Sequence, residues 1–255
     1  MKHSVDLIVT DLDGTLLRTD KTISAGTQSV LHRCREKGIK IVYATGRGGS
    51  ETRLIPAELF NGRVIMNGAM AYVDDKVVYS RLIPYQIARP LLIACDRYGM
   101  KTASEYGGRH YSNFVVSDMW EYITYFDVVD FSAHELDAEK LYMVVEKPEG
   151  VPFIEKNISE GLYLKVSSDN LAMVMHKDAT KAKAVAELAR QWGIPQSRIV
   201  SFGDDSNDLD MLEYSGIGVA MGNALDEVKS VADFICTSND EDGLAEWISS
   251  YVDLS

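Results

Sequence analysis

Three short apolar runs in this chain each end in residues that could do chemistry. Asp11 and Asp13 follow the run at 5–10, Thr45 follows the run at 39–44, and Asp204 and Asp208 follow the run at 199–203. In an open parallel sheet the carboxyl ends of the strands converge on one edge, where ligands bind. Four carboxylates gathered there repel strongly: two like charges about 4 Å apart at an effective dielectric of about 20 cost roughly 4 kcal/mol. A cation must sit among them, and hard oxygen donors favour Mg²⁺. Lys181 stands in the first turn of a helical stretch, where backbone N–H groups add partial positive charge. With the Thr45 hydroxyl and the amides of Gly46 and Arg47, it could form a phosphate cradle. Four carboxylates, one divalent cation and one lysine leave a single negative charge, so a phosphate dianion is expected to bind only with the metal in place.

Each piece has a plainer explanation when taken alone. An Asp-x-Asp-Gly after a strand is common turn chemistry, because Asp and Gly favour turns. Thr45-Gly46-Arg47-Gly48-Gly49 fits a dinucleotide fingerprint poorly, since its third glycine position is Glu51. A calcium loop starting at Asp204 fails: the sixth position is Leu209 rather than Gly, and the twelfth is Ser215 rather than Glu. Lys181 alone would be a solvated helix lysine. The argument rests on the coincidence of three oxygen-bearing loops and one helix-start lysine.

The elements around these residues define the architecture. Ser24 reads as an N-cap, Val30, Leu31 and Cys34 recur at helical spacing, and Gly38 closes the helix. A strand at 39–44 leads into a loop that is expected to open another helix, and 63–67 reads as a third strand. Strand, helix, strand, helix, strand implies a parallel sheet with helices on its faces. After about residue 80 the pattern changes. Pro84 and Pro90 are expected to flank a helix running to Gly99. Hairpin-like turns at 106–109 and 168–170 mix with strands at 141–146, 163–167 and 171–176 and a helix near 151–160. Such mixing suggests an α+β insert. From about 179 the first pattern resumes: Thr180 caps a helix ended by Gly193 and Pro195, then strand 199–203, helix 211–215, strand 216–221 and helix 242–251. The expected organisation is a core from 1–80 and 179–255, interrupted by an insert at 81–178.

Composition narrows the classes. The 255 residues are 46% hydrophobic and 25% charged, which is globular composition. A formal charge of −12 and a pI near 4.9 disfavour nucleic acid and anionic membranes as partners, but not a small phosphorylated ligand, which responds to the local field. Cys34, Cys95 and Cys236 form no CxxC pair and read as free thiols. The start lacks the apolar core of a signal peptide, and no apolar run is long enough to span a bilayer. A cytoplasmic protein, monomer or homodimer, is expected. Met66, Met70, Met173, Met175 and Met211 read as core filler, and His32 and His176 as structural or surface residues. Arg109, His110, Tyr111 and Asn113, in the first hairpin of the insert, could touch substrate.

Together the motifs resemble a known family. Asp11-Leu12-Asp13-Gly14-Thr15-Leu16-Leu17, Thr45-Gly46-Arg47, Lys181, and Gly203-Asp204-Asp205-Ser206-Asn207-Asp208 with Met211-Leu212 resemble the four motifs of the haloacid dehalogenase (HAD) superfamily of phosphatases. Asn67-Gly68-Ala69, Gly218-Val219-Ala220-Met221-Gly222-Asn223-Ala224 and Ser238-Asn239-Asp240-Glu241-Asp242-Gly243 are similar to its Cof-type branch, which inserts a type IIB α+β cap between the second and third motifs. The resemblance implies an α/β fold: a Rossmannoid parallel-sheet core with an inserted cap that closes over the site and reads the substrate. One departure is the approach to Lys181, His176-Lys177-Asp178-Ala179-Thr180, where related proteins tend to carry a Gly-Val-Ser-like stretch. Lys183 is the alternative lysine.

The resemblance also implies roles. Asp11 is the nucleophile, forming an aspartyl-phosphate. Asp13 protonates the leaving oxygen and then takes a proton from water, which requires neighbouring carboxylates to raise its pKa. Asp11, the backbone carbonyl of Asp13, and Asp204 bind Mg²⁺, while Asp208 completes the metal shell or orients Lys181. Thr45, Gly46, Arg47, Lys181 and Asn207 bind phosphoryl oxygens. The expected activity is Mg²⁺-dependent hydrolysis of small phosphorylated metabolites, with sugar phosphates favoured. A phosphomutase on the same scaffold and a non-catalytic phospho-ligand-binding module are the alternatives. A phosphorylation-switched receiver is disfavoured, because it needs neither the Asp11-x-Asp13 pair nor the long insert.

Overall fold

The computed structural model describes residues 3–49, 52, 55–167 and 170–254. The first segment runs β1 (Leu7–Thr10), α1 (Ala25–Glu36), β2 (Lys40–Ala44), β3 (Gly62–Ile65), β4 (Met70–Val73) and β5 (Lys76–Ser80). The middle segment holds α2 (Tyr85–Arg97), β6 (Thr102–Tyr106), β7 (Arg109–Ser112), β8 (Phe126–Val128), β9 (Lys140–Val144), α3 (Gly150–Asn157), β10 (Leu162–Val166) and β11 (Leu171–His176). The last segment holds α4 (Lys181–Trp192), β12 (Ile199–Gly203), α5 (Leu209–Tyr214), β13 (Ile217–Ala220), α6 (Asp226–Val231), β14 (Phe234–Ile235) and α7 (Gly243–Tyr251). Two compact units result: Met1–Arg47, Glu51–Ser80 and Thr180–Ser255 form one, and Gly48–Ser50 with Arg81–Ala179 form the other.

The first unit is built on a sheet ordered β14-β13-β12-β1-β2-β3-β4-β5. The six strands from β14 to β3 are parallel, with Val9 opposite Val42 on one side and Ser201 on the other. Central strands of such sheets are covered on both faces, and Leu7, Ile8, Val9, Ile41, Val42, Val200 and Phe202 are buried accordingly. Beyond β3 the sheet departs from the purely parallel expectation: β4 and β5 add an antiparallel hairpin. Helix α1 starts where Ser24 Oγ accepts from Thr27 N. Helix α4 starts where Thr180 Oγ1 accepts from Lys183 N, and it ends at Gly193 with φ 66°.

The helix expected to open after Gly49 falls largely on residues 50, 51, 53 and 54, which lie outside the described residues. The carbonyls of Thr45 and Arg47 accept from Asn67 N and Met66 N, and Ala57–Leu59 forms a 3-10 turn. Two local expectations are corrected. The third strand stops at Ile65, and Met66–Gly68 turns with positive φ. Pro90 lies inside α2 rather than beside it. It is exposed, as is Gln86, so the carbonyl left without an N–H donor faces water.

The second unit is a six-stranded sheet ordered β10-β11-β9-β6-β7-β8, antiparallel except between β7 and β8. One face packs Leu141, Met143, Ala172 and Val174 against Leu91, Leu92 and Cys95 of α2 and Ile154 of α3. The unit has its own core. No helix among the described residues is long and apolar enough to cross a membrane. All three cysteines are free, with Cys34 and Cys95 buried. Of the five methionines expected in the core, Met66, Met70, Met175 and Met211 are buried.

Candidate active site

The site lies at the carboxyl ends of β1, β2 and β12 in the first unit. Asp11 N donates to Phe202 O, which extends the β1–β12 ladder by one residue and fixes the first carboxylate at the sheet edge. Two glycines let the neighbouring loops close on it. A Cβ on Gly14 (φ 77°) would stand 2.3 Å from Asp204 Oδ2, and one on Gly203 would stand 2.4 Å from Asp208 Cβ. The space that Gly14 leaves is crossed by Thr15 Oγ1, which donates to Asp204 Oδ1 at 2.6 Å. The loop after β1 is tied down from the C-terminal segment. Asn223 Nδ2 donates to Gly14 O, Asn239 Nδ2 to Leu17 O, and Arg18 reaches Asp242 with two bonds.

Lys181, the first residue of α4, is fully buried. Its Nζ donates to Asp11 Oδ1 and to Asp208 Oδ1, both at 2.6 Å. Asp208 Oδ2 accepts from the backbone N–H groups of Asp204 and Asp205 at 3.0 and 3.1 Å, so both oxygens of Asp208 are engaged. Burial is the largest influence on Asp11 and works upward. The Lys181 ammonium opposes it, Asp208 and Asp204 reinforce it, and the carboxyl rises to about 7. Asp204 is pushed up to about 6, again chiefly by burial, with the Thr15 hydroxyl holding it down. Burial works downward on Lys181, but Asp11 and Asp208 outweigh it and the ammonium stays charged.

One oxygen from each of Asp11, Asp204 and Asp208 lies within 4.8 Å of the others. Three carboxylates with one ammonium leave two negative charges in a buried pocket. This all-oxygen donor set fits a hard divalent cation such as Mg²⁺. Asp11 and Asp204 would hold the ion directly. Asp208, with both oxygens engaged, would serve by fixing Lys181 and the turn that carries Asp204.

Asp13 is separate from this group, contrary to the expectation of four converging carboxylates. Arg47 Nε donates to its Oδ2 and Arg47 Nη2 to its Oδ1, both at 2.6 Å, and Lys21 Nζ reaches Oδ1 at 2.7 Å. Partial burial pulls the carboxyl upward, but the Arg47 and Lys21 bonds prevail and hold it below the ordinary carboxylate range. The expectation of a raised Asp13 is therefore overturned: its near neighbours are cations. The charge arithmetic changes with it. Four carboxylates face Lys181, Arg47 and Lys21, and a divalent cation would turn the sum to one positive charge.

Residues expected to bind phosphate gather beside this centre. Thr45 is buried, and its Oγ1 accepts from Arg47 N at 3.2 Å. A Cβ on Gly46 would lie 3.0 Å from Asn67 Oδ1 and 3.6 Å from Asn207 Nδ2. Asn207 Nδ2 donates to Asn67 Oδ1 at 2.8 Å. Thr15, Lys21 and Asn67 were not identified as site residues from sequence. Thr15 and Asn67 stand within quoted motifs, whereas Lys21 has no signal beyond its charge.

The hairpin residues of the second unit have partners inside that unit. Arg109 pairs with Asp127 and lies over Tyr125. His110 Nδ1 meets Tyr142 OH at 2.9 Å. Tyr111 packs against His134. Asn113 Oδ1 accepts from Thr102 N, and its amide donates to Asp96 and to Met100 O. Each of the four residues therefore has a partner within its own unit. His176 Nδ1 likewise accepts from Asp178 N.

Known proteins resemble this chain along nearly its whole length. The profile of the haloacid dehalogenase-like hydrolases matches residues 8–248. The chain is 28% identical to the 5-amino-6-(5-phospho-D-ribitylamino)uracil phosphatase YitU of Bacillus subtilis, over 97% of this chain and 98% of that protein. It is 29% identical to a phosphoglycolate phosphatase of Sulfolobus acidocaldarius, over 97% of each chain. Among solved structures, the HAD subclass IIB sugar phosphatase BT4131 superposes with a TM-score of 0.81 at 27% identity, covering 96% of this chain and 98% of that one.

Proposed function

The chain belongs to the haloacid dehalogenase-like hydrolases, and from that premise we propose that it is a Mg²⁺-dependent phosphomonoesterase of small phosphorylated metabolites, with sugar phosphates the favoured class. The observation that carries this reading is Lys181, buried between Asp11 and Asp208 with Asp204 alongside. The arrangement presents a nucleophilic carboxylate, a fixed cation and an all-oxygen metal site at one sheet edge. The phosphatase relatives and the sugar phosphatase neighbour support the reaction class.

In the proposed reaction Lys181 holds Asp11 Oδ1, which leaves Oδ2 to attack phosphorus. The bond from phosphorus to the leaving oxygen breaks, and that oxygen takes a proton. Water then attacks the aspartyl-phosphate, the bond from phosphorus to Asp11 breaks, and inorganic phosphate leaves. Asp13, held as a carboxylate by Arg47 and Lys21, is set to take the proton from that water. To give the leaving oxygen its proton in the first step, Asp13 must first release Arg47 and Lys21 and take up a proton from solvent. Thr45, the amides of Gly46 and Arg47, Lys181 and Asn207 hold the phosphoryl oxygens, where transition-state charge is spread. Bound Mg²⁺ supplies further positive charge at these oxygens. The 81–178 unit serves as the cap, reading the rest of the substrate.

The test is phosphate release from a panel of phosphorylated metabolites with Mg²⁺ or EDTA, with Asp11→Asn alongside. Metal-dependent release that falls by about 10³-fold or more in the variant is expected. Release that survives in Asp11→Asn would remove the nucleophile. Substrate conversion without free phosphate would point to a mutase.

A further inference from the structure

We propose that Asn67 is a positioning residue of the phosphate site, holding Asn207 and the 45–47 loop in register with the start of α4. The inference rests on the phosphatase reading above. It begins with the backbone. Met66, Asn67 and Gly68 have φ of 51°, 52° and 100°, three consecutive residues in the left-handed region. L-residues rarely take this conformation, and asparagine tolerates it better than methionine does. Such segments persist where surrounding structure over-determines them, and they cluster at functional sites.

Three restraints on the turn among the described residues come from phosphate-site segments. Met66 N donates to Arg47 O and Asn67 N to Thr45 O, both at 3.0 Å. Gly68 lies against the residue before Lys181: a Cβ there would stand 2.1 Å from Thr180 O. The Asn67 side chain makes the third link. Its Oδ1 accepts from Asn207 Nδ2 at 2.8 Å, and a Cβ on residue 46 would stand 3.0 Å from that oxygen, close enough to crowd it. Gly46 is therefore the residue that admits Asn67.

The chemical consequence lies at Asn207. An amide nitrogen carries two protons. Donating one to Asn67 fixes the amide plane, and that sets the direction of the other. Without the acceptor, Asn207 rotates and must be ordered by each phosphoryl group that arrives. Asn67 thus acts through Asn207 and the loop backbone.

Glycine separates this role from a merely structural one. At φ near 52° glycine fits at no steric cost, so Asn67→Gly keeps the turn, relieves strain and deletes only the side chain. The experiment compares wild type, Asn67→Gly, Asn207→Ala and the double variant. It records the thermal midpoint with and without Mg²⁺ and inorganic phosphate, and the inhibition constant of inorganic phosphate against p-nitrophenyl phosphate turnover. Asn67→Gly should melt no lower than wild type without ligand, yet gain less from phosphate, with the inhibition constant up about tenfold. Asn207→Ala should also raise it about tenfold. The double variant should exceed the larger single effect by no more than about twofold, because the two residues act as one unit. An Asn67→Gly protein with wild-type phosphate inhibition overturns the proposal, as does a double variant in which the two effects multiply. If Asn207→Ala leaves phosphate inhibition unchanged, the assignment of Asn207 falls, and this proposal falls with it.

Discussion

The two units both bury charge, but by different routes. In the first, Asp11, Lys181, Asp204 and Asp208 come from loops far apart in the chain and meet where parallel strands end. In the second, Glu105, His110, Lys140 and Tyr142 sit on neighbouring antiparallel strands, and Glu139 immediately precedes β9. Lys140 Nζ lies 3.3 Å from Glu105 Oε2, His110 meets Tyr142, and Gly107 N donates to Glu139 Oε1. The first group sets three carboxylates against one ammonium, and burial, reinforced by the neighbouring carboxylates, pushes Asp11 up to about 7 and Asp204 up to about 6. The second comes close to balance, because Lys140 faces Glu105 and Glu139 is pushed up to about 7. An excess of like charge maintained in a buried place needs a ligand to complete it. A balanced cluster needs none and reads as part of the unit's own structure.

The largest expected effect follows from emptying the first cluster of its cation. Lys181→Met leaves Asp11 and Asp208 buried without their cation, a change that typically costs about 3–5 kcal/mol, and phosphatase turnover should fall by about 10³-fold. Lys183 is exposed, so Lys183→Met should stay within about 0.5 kcal/mol of wild type. Added Mg²⁺ should restore part of the stability lost by Lys181→Met, because it supplies charge to the same carboxylates. Chemical denaturation with and without Mg²⁺ reads both. If Lys183→Met proves the more damaging, the lysine assignment is reversed.

A smaller effect is expected from the second cluster. Glu139 is buried beside Glu105, and its Oε2 has no hydrogen-bond partner among the described residues. Burial is the main cause of its rise from 4.5 to about 7, with Glu105 adding and Gly107 N opposing. A carboxyl raised on folding contributes stability that is complete below about 4.5 and lost as pH rises through about 7. The upper bound on that loss is on the order of 3 kcal/mol. Glu139→Gln keeps an acceptor for Gly107 N and cannot ionise. It should flatten the fall in stability between pH 5 and 7.5 and leave turnover within about twofold. Thermal melts across that range decide, and an unchanged slope would make Glu139 irrelevant to it.

The same difference explains what could be read from sequence. Strand-end motifs such as Asp11-x-Asp13 and Asp204-x-x-x-Asp208 were legible because β1 and β12 are apolar runs whose ends carry the polar residues. Lys181 was legible from the Thr180 cap. The side-chain partners were not, because they depend on rotamers and on distant loops. Nothing local places Arg47 and Lys21 on Asp13, so its environment was read with the wrong sign. The strand expected at 63–67 runs two residues too far because the left-handed turn at Met66 and Asn67 is imposed by Thr45, Arg47 and, through Gly68, Thr180. The β4–β5 hairpin carried no assignment because its short strands sit beyond the parallel core.

The smallest expected effect tests the boundary between the two kinds of cluster. Arg109 stands at the first hairpin of the second unit, where sequence suggested contact with substrate. Its guanidinium grips Asp127 with bonds of 2.6 and 2.8 Å and lies 4.8 Å from the Tyr125 ring. All three groups are partly or largely exposed, and exposed pairs contribute little once solvent screens them. Arg109→Ala should therefore move the melting temperature by no more than about 2 °C and leave KM for the best panel substrate within about twofold. If KM instead rises tenfold while the melting temperature holds, Arg109 reads substrate, and the second unit's charged surface belongs with the chemistry of the first.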